Sequence, residues 1–319
     1  MKKIVVVFLG LFCTIKAYSQ NVGRVEMVGC FLEDCRGLSA APNIEFGYVT
    51  LPENYAEPDG KQIRVAFAIV RSQVANPKPD PVIWFEGGWG LPSLNNIFRL
   101  ARFFPFKDRD LLVFDYRGSG YSEPGLCADL GQKNWELIIK DLNFRQFNDS
   151  INALAYDCLR QLQEQGVDYR QYGTEIKTLD AVMLVKHLGY EEVNLLGVSN
   201  GTMGIQGFIR GAEHAGIKIR SVISDSNVPM AGYRHGNSVV YYNHVLENVL
   251  NDCADNPSCA RAFPDLKNRF YTFLRELEGK PLISTGKDQL VFNRYEINGM
   301  IHQLLYNHKN HKDIPILLE

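Results

Sequence analysis

The chain has 319 residues, of which 45% are hydrophobic, enough to bury a large core in one to three domains. Its formal net charge is −2, and it contains no block of basic residues. This charge balance argues against nucleic acid and anionic membrane surfaces as partners.

A secretory signal peptide is predicted over residues 1–19. Lys2 and Lys3 precede a short apolar run at 4–12, and the segment ends in Ala17-Tyr18-Ser19, a small-x-small cleavage pattern. The run is too short to cross a bilayer, and no other stretch of the sequence could do so. We therefore expect a secreted or periplasmic protein without a stable membrane span.

Six cysteines remain after removal of the signal peptide, and an even count in an exported chain favours disulfides. The sequence does not choose among the fifteen possible pairings. Order along the chain suggests that neighbours pair, as Cys30–Cys35, Cys127–Cys158 and Cys253–Cys259. The sequence has no CxxC pair and no paired histidine spacing, so we predict neither a metal site nor a cofactor.

The core is predicted over residues 20–228. Alternating apolar residues at 44–51 and 63–71 indicate two antiparallel strands, and the proline-rich residues 77–81 indicate a surface connector. Later segments alternate between strands and helices. Strands are predicted at 82–85, 111–114, 193–198 and 221–225, the first two of them buried, and helical spacing is found at 150–165, 174–188 and 202–211. This alternation predicts a mostly parallel sheet with helices on both faces, in the α/β class.

The pattern changes after residue 228. Residues 237–251, 257–278 and 294–308 have helical or polar spacing, with no clear buried strand. A separate helical cap or lid is therefore predicted over residues 229–319.

The run Gly197-Val198-Ser199-Asn200-Gly201 has the small-x-Ser-x-small form of a nucleophile elbow. A predicted strand precedes it and a predicted helix follows, as the elbow requires. Glycine is needed on both sides because larger side chains would collide in so sharp a turn. The pattern predicts Ser199 as a catalytic nucleophile.

A serine nucleophile needs hydrogen-bond donors for the negative charge that develops on the attacked carbonyl oxygen. In this arrangement one donor is the backbone N–H of the residue after the serine, here Asn200. The other comes from the loop after an earlier strand, and Glu86-Gly87-Gly88-Trp89-Gly90 fits that loop. We predict Gly88 N–H as the second donor.

Residues 115–122, with the sequence DYRGSGYS, contain closely spaced glycines after a strand. They lack the Lys-Ser/Thr ending of a phosphate-binding loop and are too short for a dinucleotide fingerprint. We predict a structural turn that supports the site, with Arg117 in a buried ion pair.

These segments together resemble the prolyl and tripeptidyl aminopeptidase family of secreted α/β-hydrolases. The resemblance runs from about Cys30 to the end of the chain and includes Cys127 and Cys158. Its motifs are FGYVTLPENY, PVIWFEGGWG, DYRGSGYSEP, LGYEEVNLLGVSNGT and CADNPSCARAFP. It implies an α/β-hydrolase fold with a helical cap and a serine exopeptidase acting at peptide N-termini. The chain departs from the family in having Asn200 in place of tyrosine and Trp89 in place of proline.

In this fold the serine is followed along the chain by an acid and then by a histidine. No strand is predicted after the cap begins, so we expect an N-terminal portion of a longer protein that lacks the final strands, the triad Asp and the triad His. Asp225, after the next strand, is predicted to be structural. The same holds for His187 and His214, and for the cap histidines His235, His244, His302, His308 and His311.

The sequence therefore favours a serine hydrolase that cleaves N-terminal residues from peptides through an acyl-enzyme. One alternative is an esterase or lipase of the same fold. Another is an inactive fragment or non-catalytic binding module, because the acid and the histidine are missing. The oligomeric state is not predicted.

Overall fold

The computed structural model describes residues 23–88, 90–230, 234–285 and 290–318, with only the backbone of 234–237. The predicted signal peptide and Trp89 lie outside the described residues. The chain divides into two compact units, the first comprising the residues up to Leu126 together with Gly166–Met230, and the second Cys127–Gln165 together with Ala231–Glu319. Residues 127–165 thus group with the second unit, whereas the predicted domains at 20–228 and 229–319 placed them in the core.

Seven strands of the described chain form one sheet in the first unit. They are β1 (Val25–Val28), β2 (Ile44–Pro52), β3 (Gln62–Val70), β4 (Lys78–Phe85), β5 (Arg109–Phe114), β6 (Glu192–Val198) and β7 (Lys218–Asp225). Their order is β1-β2-β3-β5-β4-β6-β7. Strands β4, β5, β6 and β7 are parallel, and β3 is antiparallel to β5 and to β2. Five of the seven strands therefore run in one direction, which confirms the predicted mostly parallel sheet.

The helices in chain order are α1 (Ile97–Phe103), α2 (Leu130–Ile138), α3 (Phe144–Glu164), α4 (Thr174–His187), α5 (Gly201–Ala215), α6 (Arg234–Asp255), α7 (Pro257–Ala262), α8 (Leu266–Glu276), α9 (Arg294–Leu305) and α10 (Ile314–Leu317). Short 3-10 turns lie at Arg36–Ser39, Leu94–Asn96, Tyr169–Tyr172 and His308–Asp313. No helix among the described residues has the length and apolarity required to cross a membrane.

The two faces of the sheet bury two separate apolar clusters. Side chains alternate across a strand, so β3 sends Val65 and Phe67 to one face and Ala66 and Ala68 to the other. The first face packs against α4 and α5, and the second packs against α1. This arrangement, with helices on both faces, explains why the central strands are apolar along their whole length.

The second unit has its own core, formed by α6, α8 and α9 around Leu250, Phe270 and Ile301. A capping box between Asn143 and Gln146 begins α3. The unit also contains a two-stranded antiparallel hairpin, β8 (Leu282–Ile283) and β9 (Val291–Phe292). Its side chains are partly or fully exposed, so the hairpin gives no buried-strand pattern in the sequence.

All three disulfides suggested by chain order are present. Cys30–Cys35 lies in the first unit, and Cys127–Cys158 and Cys253–Cys259 lie in the second. The longest of the three, Cys127–Cys158, spans 31 residues and joins α3 to the segment before α2.

Two predicted segments were wrong in detail. Residues 78–81 belong to β4 instead of a surface connector. The ladder between β4 and β5 is irregular from Lys78 to Val82, which tolerates the missing N–H groups of the prolines. Asp80 is buried there because Arg109 Nε and Asn194 Nδ2 donate to its carboxylate at 2.9 and 2.7 Å. The helix predicted over 257–278 is interrupted between α7 and α8, where Pro264 lies.

Candidate active site

Ser199 lies in the turn between β6 and α5, in the left-handed backbone region with φ of 50°. This conformation is uncommon for a residue with a Cβ and is found mainly where the surrounding structure enforces it. Its N–H donates to the carbonyl oxygen of Asp225 at 2.9 Å. Its own carbonyl accepts from Thr202 N–H at 3.0 Å and Thr202 Oγ1 at 2.6 Å. Hydrogen bonds to the end of β7 and to the first turn of α5 therefore hold the serine in this geometry.

The glycines beside the turn are required by close backbone approach. A Cβ on Gly201 would collide with the carbonyl oxygen of Phe85, at the end of β4. A Cβ on Gly197 would lie 3.0 Å from the carbonyl group of Gly201. The first turn of α5 thus packs directly on the ends of two adjacent strands, as the sequence argument expected.

The glycine loop after β4 lies beside the serine. The Cα of Gly87 faces it so closely that an added Cβ would be 3.5 Å from Ser199 Cβ. Gly88 and Gly90 both have φ of 74°, a conformation that favours glycine. Neither Gly88 N–H nor Asn200 N–H donates to any described residue, so both predicted donors are free of partners in that part of the chain.

The Asn200 side chain links the turn to the glycine loop. Its Nδ2 donates to the carbonyl oxygen of Gly88 at 2.9 Å. Because the Gly88 carbonyl oxygen can only accept, the side-chain amide of Asn200 must present its Nδ2 to that oxygen. Its Oδ1 therefore points away from Gly88. Oδ1 is buried and accepts no hydrogen bond from any residue that the structure describes. This contact depends on the residue that departs from the family pattern.

A small cavity of about 140 Å³ lies beside Asn200, between the glycine loop and the start of α4. Tyr116, Lys177 and Gly90 are among its lining residues. Burial raises the pKa of the Tyr116 hydroxyl, and the charge of Glu86 adds to this effect. Burial also lowers the pKa of the Lys177 ammonium, whose nitrogen lies 5.7 Å from the centre of the Tyr116 ring. Lys177 has no motif in the sequence that marks it, because only the fold brings α4 beside the loop after β4.

Asp115, at the end of β5, holds the segment that follows the glycine loop. Its carboxylate accepts from Leu94 N–H and Tyr121 N–H, each at 3.0 Å. Burial raises the pKa of Asp115 to about 6, and these backbone donors oppose the increase. The carboxylate thus connects the segment after the glycine loop, through Leu94, to the turn after β5, through Tyr121.

The predicted buried ion pair of Arg117 is confirmed, and its partner is Asp180 on α4. The guanidinium donates twice to the carboxylate at 2.6 Å, and both side chains have no exposed surface. It also donates to the carbonyl oxygens of Pro52 and Glu53. Burial acts to lower the pKa of Arg117, but the hydrogen bonds and charge of Asp180 outweigh it and raise that pKa. This two-pronged contact fixes the turn after β5 to α4.

The aspartate and the histidines that could have completed a catalytic triad contact residues other than Ser199. The Asp225 carboxylate accepts from the hydroxyl of Ser226 at 3.1 Å. The His187 ring occupies the space beside Gly23, and His214 Nδ1 pairs with the carbonyl oxygen of Arg210 at 3.2 Å. Neither of these two described histidines of the first unit is hydrogen-bonded to Ser199. In the second unit His302 packs on the rings of Tyr242 and Tyr306.

The sequence was compared with those of known proteins. The sequence is 29% identical over 191 residues to the tripeptidyl aminopeptidases of Streptomyces lividans and Streptomyces coelicolor. Each alignment covers 56% of this chain and 35% of the relative, so the chain spans about a third of the length of these curated relatives.

Two similar solved structures are a putative hydrolase from Agrobacterium vitis S4 and the juvenile hormone epoxide hydrolase from the silkworm Bombyx mori. The first has 14% sequence identity and a TM-score of 0.34 over 81% of this chain and 72% of that chain. The second has 13% identity and a TM-score of 0.36 over 76% of this chain and 44% of that chain.

Residues 80–262, more than half of the chain, match the family described as the alpha/beta hydrolase fold. The matched range includes the glycine loop, the turn after β5 and Ser199. The chain therefore belongs to the α/β-hydrolase fold family.

Proposed function

We propose that this protein is a serine hydrolase in which Ser199 is the nucleophile. The observation that carries the proposal is the positive φ of Ser199 between β6 and α5, with glycine forced on both sides. A strained serine at the end of a parallel strand is the geometry that presents a hydroxyl to substrate in this fold. Ligands of open parallel sheets bind at the carboxyl ends of the strands, which is where Ser199 lies.

In the proposed reaction, Ser199 Oγ bonds to the carbonyl carbon of the substrate while its proton passes to a general base. Gly88 N–H and Asn200 N–H donate to the resulting oxyanion. The intermediate then expels the leaving group, which takes the proton, and leaves an acyl-enzyme that water hydrolyses. We assign the base to no described residue. In the first unit the His187 ring lies beside Gly23, and His214 pairs with the carbonyl oxygen of Arg210.

The proposed substrate is the N-terminal end of a peptide. The support is the similarity to two proteins named tripeptidyl aminopeptidase, together with the family motifs around the glycine loop and Ser199. In this reading the acyl group comes from the N-terminal side of the cleaved bond and the leaving group is an amine.

The test is covalent labelling of the full-length protein, with its general base present, by a fluorophosphonate probe, followed by mass spectrometry of the modified peptide. We expect Ser199 to be modified and Ser199→Ala to lose the label. Ser226→Ala is the matched control, because Ser226 also follows a parallel strand with a positive φ of 54°. Labelling that survives Ser199→Ala, or that disappears equally in Ser226→Ala, would overturn the assignment.

Turnover separates the substrate classes. Wherever the wild-type protein hydrolyses N-terminal tripeptidyl or aminoacyl arylamides, Ser199→Ala is expected to lower kcat by roughly 10⁶-fold, the loss typical of a removed serine nucleophile. Hydrolysis of simple acyl esters without any arylamide cleavage would instead identify an esterase and reject the peptidase.

A further inference from the structure

A second, larger cavity lies in the first unit at the end of the sheet opposite Ser199. We call it the α1 cavity. It is bordered by α1, by the residues after β3 and by the start of β5. Val70 ends β3 and pairs with Leu111 near the start of β5, whereas Ser199 follows the far end of the parallel strand β6. The cavity is therefore separate from the site of the proposed reaction.

The size of the α1 cavity suits an organic ligand. Its volume is about 930 Å³, within the about 300–1,000 Å³ usual for small-molecule sites. Apolar side chains form much of the lining, among them Val70, Val74, Phe98, Phe104 and Phe106. Val70 and Phe104 are buried, so this lining is continuous with the core under the sheet.

The polar part of the lining carries one sign of charge. The lining residues include five cationic side chains, Arg71, Arg99, Arg102, Lys107 and Arg109, and no aspartate or glutamate. How much of this positive charge is available to an anion depends on which cations have carboxylate partners outside the lining.

Three of these cations already have partners. Arg71 pairs with Glu45 and Asp110, and Arg109 pairs with Asp80 and Asp108. Lys107 Nζ donates to the carbonyl oxygens of Ala101 and Arg102, at 3.0 and 3.3 Å, at the end of α1.

The other two, Arg99 and Arg102, lie one turn apart on α1 and form no ion pair with any described residue. The Arg102 guanidinium lies 5.2 Å from the centre of the Phe103 ring. This pair therefore supplies the unneutralised charge at the mouth of an apolar cavity.

We propose that the α1 cavity binds an amphipathic monoanion, a carboxylate with a long apolar chain such as a fatty acid. The chain packs on the valine and phenylalanine side chains, and Arg99 and Arg102 bind the carboxylate. Planar guanidinium groups match a carboxylate with two parallel hydrogen bonds, and the apolar lining supplies the remaining binding free energy.

The test is calorimetric titration of the full chain with laurate below its micelle concentration. We expect saturable binding of one laurate per chain, and at least about tenfold weaker binding by the double variant Arg99→Gln/Arg102→Gln. The matched control is Arg145→Gln/Arg261→Gln, which removes the same charge from exposed arginines on α3 and α7. That control is expected to bind laurate as the wild type does.

Two further measurements separate the apolar and charged contributions. Ala101→Trp fills the cavity without changing its charge and is expected to abolish binding, with circular dichroism showing that the variant is folded. Dodecyltrimethylammonium, a cation with a twelve-carbon chain, is expected not to bind. Non-saturable laurate uptake, equal binding of the cation, or full affinity in the double variant would each overturn the proposal. None of these results depends on Ser199, so failure here leaves the proposed function untouched.

Discussion

At the scale of single residues, several polar groups near Ser199 are buried for structural reasons. Arg117 and Asp180 neutralise each other and connect the turn after β5 to α4. Asp115 instead accepts hydrogen bonds from backbone N–H groups, and burial raises its pKa in spite of them. Asn200 satisfies the carbonyl of Gly88 but leaves its own Oδ1 without a donor. These side chains fix the loops around the nucleophile.

The raised pKa of Asp115 predicts a pH-dependent stability. The folded-state value of about 6 exceeds the ordinary value of 3.8, so the folded protein binds more protons between these limits. The contribution of Asp115 to the free energy of unfolding therefore falls as the pH rises from about 4 to 6, by up to about 3 kcal/mol, and is constant above that window.

Urea unfolding of wild type and Asp115→Asn from pH 4 to pH 8 checks this prediction. The wild-type free energy of unfolding minus that of the variant is expected to decrease across pH 4–6 and then to level off. Asp59→Asn, which changes an exposed carboxylate between β2 and β3, is the control and is expected to keep the wild-type profile. A difference that increases with pH would contradict the burial argument.

At the scale of elements, the contact between β4 and the start of α5 decides the position of the serine. Gly201 allows the helix to begin directly against the carbonyl of Phe85. Gly204, one turn later, gives room to the Phe85 ring and the Tyr116 hydroxyl. At Gly201 the end of β4 and the start of α5 therefore meet backbone to backbone.

Gly201→Ala is expected to lower the free energy of unfolding by on the order of 3 kcal/mol, because a Cβ there has no space and must displace backbone. Gly125→Ala, in the same unit with nothing near its Cα, is the control and is expected to stay within about 0.5 kcal/mol of wild type. Thermal or urea unfolding measures both. Equal stability of the two variants would show that α5 can shift away from β4 at little cost.

The strands could largely be predicted from the sequence because local patterns determine them. Alternation identified β2 and β3, and short apolar runs identified β6 and β7. The same logic failed at residues 78–81, where prolines suggested a connector but the irregular β4–β5 ladder and the pairing of Asp80 form a strand. Ser199 and the glycine loop were found from local motifs. Lys177 and Asp180 were missed as parts of this region, because their neighbours lie on elements far away in sequence.

At the scale of the whole molecule, the chain forms two compact units from interleaved segments. Within residues 127–165, the helical spacing at 150–165 indicates a helix but not the unit to which it belongs. Grouping them with residues 231–319 requires long-range contacts that no local pattern specifies. This is why the predicted domains were contiguous in sequence whereas the compact units are not.

The two disulfides of the second unit predict different losses of stability. A cross-link restricts the unfolded chain more when it closes a longer loop. Removing Cys127–Cys158, with a separation of 31 residues, as Cys127→Ser/Cys158→Ser is expected to cost about 3–4 kcal/mol. Removing Cys253–Cys259, with a separation of 6, is expected to cost about 2 kcal/mol. Scanning calorimetry measures both, and an equal or reversed order would contradict loop closure as the cause.

The interleaved segments also have a consequence for the order in which the protein assembles. The chain leaves the first unit after Leu126, returns at Gly166 and leaves again after Met230. At a synthesis rate of about 5–20 residues per second, α2 and α3 emerge on the order of ten seconds before the helices with which they form the second unit. During that interval the Cys127–Cys158 cross-link is the long-range covalent bond available to this helical pair. In an oxidising compartment this cross-link joins α3 to the segment before α2 without any contribution from residues 231–319.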